Sequence, residues 1–143
     1  MKQVRTTRFY HEAFQELNYP FGDFYLFDHF IISEIKEDVV FTWEHHAKQV
    51  VNDISDLYEN NGKDLIYISN RVHNYAVVPS DWLKFFRYNY TLKSYVIVSQ
   101  VKNSPLERLF MGSKLRTFRD IENAIVWAKA TGGVQKRSHQ VSA

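Results

Sequence analysis

Seven residues between Asn70 and Trp82 carry the side chains best suited to recognition: Asn70, Arg71, His73, Tyr75, Ser80, Asp81 and Trp82. They stand in "YISNRVHNYAVVPSDWLKFF", where β-type residues lead through a glycine-free connection into a helix. Arg71 can hold an anion through two parallel N–H bonds. Tyr75 and Trp82 offer apolar anchors with a polar tip. Two readings of the connection stand. Its side chains satisfy its own backbone, or it forms a recognition surface, as long loops in compact domains often do.

Catalytic and metal chemistry find less support. Adjacent helical residues point about 100° apart, so His45-His46 does not chelate as an i, i+4 pair does. Glu44 and Lys48, at i, i+4, fit a solvated helix face instead. His73 has no serine or carboxylate partner at a readable spacing. The absence of cysteine removes disulfides, zinc–thiolate sites and thiol nucleophiles. Five glycines, two of them near the end, form no phosphate loop. Trp82, Phe85, Phe86, Tyr88 and Tyr90 lie beside Lys84 and Arg87, a composition that can stack on RNA. The RNA-binding signatures are missing, so most of these aromatics are read as core. The expectation is a non-enzymatic protein without metal, cofactor or nucleic-acid partner.

The elements that must position these residues are legible in part. Asp28-His29 reads as a hairpin turn between Phe24–Phe27 and Phe30–Ile35. Trp43, Ala47, Val50, Val51, Ile54, Leu57 and Tyr58 form one stripe at period 3.6, a helix capped by Thr42 and ended at Asn60–Gly62. Asp64–Ser69 is a short strand. Ser80 is read as the N-cap of the next helix, with Asp81 favourable at its positive end. Ser94–Gln100 holds four consecutive β-forming residues, as in a strand buried on both faces. Ser104, Pro105 and Glu107 spell a helix start. Lys114–Phe118 is a last strand. Asp120 then caps a helix whose apolar face is Ile121, Ala124, Ile125 and Ala128, ended by Thr131–Gly133. The order β β α β α β α β α implies parallel strands joined by right-handed crossovers, with helices mainly on one face.

The chain of 143 residues is 45% apolar and 24% charged, ordinary for one globular domain. No apolar run approaches the roughly 18 residues of a membrane span, and the first residues lack a signal-peptide centre. A cytoplasmic location is expected. The net charge of +2 hides a division. Residues 9–69 hold three basic residues against twelve acids, a net −9; residues 70–119 hold nine against two, a net +7. Either folding mixes these charges on one surface, or the molecule is dipolar, associating head to tail or binding an anion on its second half.

This succession, with the ending "LRTFRDIENAIVWAKA", resembles the SpoIIAA-like group, domains of the sulfate transporter and anti-sigma-factor antagonist (STAS) type. The most telling positions are Phe118, Asp120, Glu122, Ala124, Ile125 and Trp127. The resemblance implies a single α/β domain with a five-stranded mixed open sheet, an antiparallel first strand and four main helices. It spans residues 20–130, with 1–19 as an N-terminal extension and 131–143 as a disordered tail. It also implies a protein-binding module, with a homodimer possible. A distant similarity of the group to Sec14-type domains adds an alternative, a carrier of a lipid or other apolar small molecule. Anti-sigma-factor antagonists carry a phosphorylated serine in a D-S-S-G-type motif after the third strand. Here that segment is "ISNRVHNYAVVPSDW"; Ser69 and Ser80 lack the motif's Asp and Gly, so no phospho-switch is expected.

Overall fold

The computed structural model describes residues 1–58, 62–78, 80–81, 84, 92–101, 108–109 and 112–142, the last ten as backbone only. Its centre is a six-stranded sheet in the order β1-β2-β3-β5-β7-β8. β1 is Gln15–Tyr19, β2 Gly22–Leu26, β3 Phe30–Ile35, β5 Ile66–Asn70, β7 Ser94–Val98 and β8 Leu115–Phe118. β1–β2 and β2–β3 are antiparallel; β3–β5, β5–β7 and β7–β8 are parallel. The expected hairpin is β2–β3, closed where the Phe27 N–H donates to the Phe30 carbonyl at 2.9 Å. A separate parallel pair joins β4, Val40–Phe41, to β6, Ala76–Val77.

Alternation along the strands sends side chains to two cores. Helix α1, Lys48–Ser55, lays Val50, Val51 and Ile54 on Phe24, Leu26, Ile31 and Ile35. Helix α2, Ile121–Ser142, lays Ile121, Ala124, Ile125 and Ala128 on Ile32, Ile68, Val96 and Val98. Neighbours such as Ile31 and Ile32 point to opposite faces, so the two helices sandwich the sheet. Among the described residues each face of the sheet carries one α-helix; the expectation of helices mainly on one face also concerns the two helices expected after Ser80 and from Ser104, nearly all of which lie outside the described residues. α2 follows the last strand instead of linking two parallel strands, so crossover handedness does not bind it. The second apolar face still has to leave water, and α2 covers it.

The helix stripe from Thr42 is present, with one irregularity. Thr42 Oγ1 accepts the His45 N–H at 3.2 Å, and the first turn, Trp43–Ala47, is a π-turn. His46 folds back, its Nδ1 accepting the Thr42 N–H at 2.9 Å, and stacks on Phe41.

Three expectations are corrected. The sheet has six strands and not five, because residues 15–19 pair with β2. The segment 1–19 therefore supplies an edge strand, and its Val4 is fully buried against the α2 core. α2 does not stop at Thr131–Gly133; its backbone stays helical to Ser142. Gly132 serves close approach instead of termination, since a Cβ there would stand 2.5 Å from the His29 Cβ in the β2–β3 turn. Four main helices were expected, and two α-helices lie among the described residues. Nearly all of the helix expected from Ser104 lies outside them, Arg108 and Leu109 being described and helical, as does nearly all of the one expected after Ser80. No helix among the described residues is long and apolar enough to cross a membrane.

Candidate functional site

The six described recognition candidates do not form one surface. Asn70, the last residue of β5, points with Ile66 and Ile68 to the α2 face and is 1% exposed. Its Nδ2 donates to Glu34 Oε2 at 2.8 Å and to the Lys2 carbonyl at 3.1 Å. The same Glu34 oxygen accepts the Val4 N–H at 2.7 Å. Asn70 thus ties the N-terminal segment to β3 and β5. Burial pushes the Glu34 carboxyl above its ordinary value of 4.5, and the Val4 and Asn70 donors oppose that shift. The buried Asn70 Oδ1 has no hydrogen-bond partner among the described residues.

Arg71 and Tyr75 go to the other face. Arg71 Nε donates to Ser69 Oγ at 3.3 Å, and its Nη2 donates to the Tyr95 hydroxyl at 3.1 Å. The Tyr75 hydroxyl lies 2.7 Å from Ser69 Oγ, and the guanidinium stands 5.7 Å from the Tyr75 ring centre. Tyr67 stacks on Tyr95 and donates to Ser33 Oγ at 2.7 Å. These side chains knit the ends of β3, β5 and β7 together. A network so fully engaged has little left to offer a ligand.

The connection itself is tethered. The Asp38 N–H donates to the Asn74 carbonyl at 2.8 Å and the Ala76 N–H to the Val39 carbonyl at 2.9 Å. Asp38 takes φ 62° to make this turn, a conformation that Asp tolerates better than most residues. His73 is half exposed, with Nδ1 3.7 Å from Glu37 Oε2, and Ser80 is exposed. Asp81 has a task the sequence did not suggest. Its Oδ2 accepts the Trp43 N–H at 2.7 Å, capping the start of the distant π-turn. Its Oδ1 lies 3.5 Å from Lys84 Nζ. Trp82 lies outside the described residues. Asp81→Ala should lower stability by about 1 kcal/mol, the usual cost of a lost N-terminal cap, while Asp81→Asn keeps an acceptor and most of the stability. Urea midpoints of the two variants check this; equal midpoints would assign the effect to charge instead of capping.

A second group at the same sheet edge was not singled out by sequence. Parallel pairing sets Val98 opposite Phe118, so Ser99 and Arg119 leave adjacent carboxyl ends of β7 and β8. The Ser99 N–H donates to the Phe118 carbonyl at 3.0 Å, and Gln100 Nε2 to the Arg119 carbonyl at 2.7 Å. Between the strand ends opens a recess of about 520 Å³, including the solvent at its mouth, bordered by Ser99, Val101, Arg108, Thr117 and Arg119. Val101 and Leu109 are each 75% exposed. Ligands of open parallel sheets gather beyond the carboxyl strand ends. The exits of β5, β7 and β8 share this edge, because the three strands run parallel side by side.

Among the described residues, no three His, Asp or Glu side chains converge as a metal site. No family model, no curated protein and no solved structure matches the chain.

Proposed function

We propose that this chain is a non-enzymatic, STAS-like binding module that associates with protein, a second copy of itself foremost, through the carboxyl edge at β7 and β8. The observation that carries the reading is the exposure of Val101 and Leu109, three-quarters each, beside Arg108 and Arg119. Exposed apolar side chains next to arginine suit a protein interface, whose buried core is more apolar than the rest of the surface and which is enriched in arginine. The acidic first half supplies a complementary surface. Glu44, Asp53 and Asp56 are exposed on the α1 side, next to Leu57, which is 44% exposed. Head-to-tail contact pairs the −9 segment with the +7 segment. The STAS-like assignment draws support from the antiparallel start, the sequential parallel strands and the closing strand–helix pair.

Sedimentation at low and high salt tests this reading. The native chain should exceed its monomer mass of 17.0 kDa at low salt and approach it at high salt, where surface charge is screened. Val101→Asp with Leu109→Asp should weaken association about tenfold or more, or about 1.4 kcal/mol. A native chain monomeric in both salts, or a variant that associates unchanged, would remove the proposal. Native mass spectrometry of the same sample reads the alternative: a co-purified lipid mass would replace self-association with an apolar carrier.

A further inference from the structure

Two arginines, Arg108 and Arg119, border the recess at the carboxyl ends of β7 and β8. Neither guanidinium makes an ion pair or hydrogen bond among the described residues. The other arginines of known surroundings are occupied. Arg5 pairs with Glu16, Arg71 bonds Ser69 and Tyr95, Arg8 lies over Phe9, and Arg116 over Trp127. Among the described residues, therefore, two arginines without an ion-pair partner border the same space.

The recess is also furnished with neutral donors. Ser99 Oγ accepts the Val101 N–H at 3.1 Å, which leaves its hydroxyl hydrogen to donate. Thr117 adds a second hydroxyl on the wall. The position of Arg119 is fixed through its own carbonyl by Gln100. We infer that this recess binds the phosphate group of a monoester, Arg108 and Arg119 neutralising its two charges and Ser99 and Thr117 donating to its oxygens. A dianion matches the two guanidiniums, and planar N–H forks suit phosphate oxygens. The recess opens to solvent, so the group that the phosphate esterifies would extend outward from its mouth.

The site does not depend on self-association, so it is measured on the monomer. Inorganic phosphate and O-phosphoserine are titrated at constant ionic strength, read by amide resonances of Ser99, Gln100 and Arg119. Saturable shifts are expected, and Arg108→Gln with Arg119→Gln should weaken the affinity at least about tenfold. Lys114→Gln, which removes a charge from the same basic half, should leave it within about twofold. Acetate should not compete. Unsaturable shifts, full competition by acetate, or an equal loss in the Lys114 variant would overturn the site in favour of diffuse charge. A phosphoserine peptide at least about tenfold tighter than inorganic phosphate would name a phosphorylated segment as the source; equal affinity would name a free small phosphate. Phosphate binding by a chain that never self-associates would support this site while removing the reading above.

Discussion

Asn70→Ala should cost about 3 kcal/mol of stability at pH 7 and clearly less at pH 5. Asn70 gives the buried Glu34 carboxylate one of its two donors and also holds the Lys2 carbonyl. Its removal leaves a charge, 5% exposed, with only the Val4 N–H. Depriving a buried charged acceptor of a partner costs more than the roughly 1–3 kcal/mol of a neutral one's desolvation. The direction with pH follows from Glu34. Its carboxyl already sits above its ordinary 4.5 because burial disfavours the charge. The folded state therefore holds this proton more tightly than the unfolded chain. The group's contribution to stability is greatest below about 4.5 and is lost as pH rises through the folded value. Without Asn70 that value climbs further, so acidification relieves more of the variant's burden than of the native chain's. Urea midpoints at pH 7 and pH 5 read this directly. Equal losses at both values would show that the carboxylate is not what Asn70 supports.

Gly22→Val should destabilise the protein by about 3 kcal/mol, the upper part of the usual range for overpacking. Gly22 opens β2 and pairs with Ile35 on β3 and Tyr19 on β1. A Cβ at this point would stand 2.8 Å from the Glu34 carbonyl oxygen and 3.0 Å from the Ile35 Cα. Both are backbone atoms of the neighbouring strand, so neither can swing aside. Relief would require β2 and β3 to part where they carry Phe24 and Glu34 into separate cores. A thermal midpoint close to the native one would mean that β2 and β3 are not apposed at this register. Gly22→Ala should show the same effect in smaller measure, because its methyl group meets the same atoms.

Much of the scaffold was legible because its signals are local. The hairpin of Phe24–Phe27 and Phe30–Ile35 shows itself in two β-rich pieces around Asp28-His29, and it stands as β2–β3. The 3.6 spacing of Val50, Val51 and Ile54 describes a single buried face, and those residues are buried. The unbroken apolar run Tyr95–Val98 belongs to a strand with both faces covered, and β7 lies between β5 and β8. Strand β1 was not legible. Gln15–Tyr19 lies at the sheet edge with its side chains exposed or half exposed, so no apolar alternation marks it. Strands β4 and β6 are two residues each, too short for any period.

The candidate site divides in the same way. The sequence by itself determined which side chains leave the end of β5, since hydrophobic pattern and chain polarity place Asn70–Tyr75 there. What those side chains do follows from the packing of elements distant in the chain. Asn70 and Arg71 are adjacent in the chain, yet pleating sends one to Glu34 and the other to Tyr95 on the opposite face. Asp81 was expected only to favour the positive start of its own helix, and its carboxylate accepts the N–H of Trp43, 38 residues earlier. Gly132 looked like a helix stop and instead lets α2 pass close to His29. Ser99 and Arg119, far apart in sequence, became neighbours only through the parallel register of β7 and β8. Local patterns follow from the period of helix and strand, which each segment carries within itself. Partnerships between segments depend on how the elements stack, and a single sequence does not carry that register residue by residue.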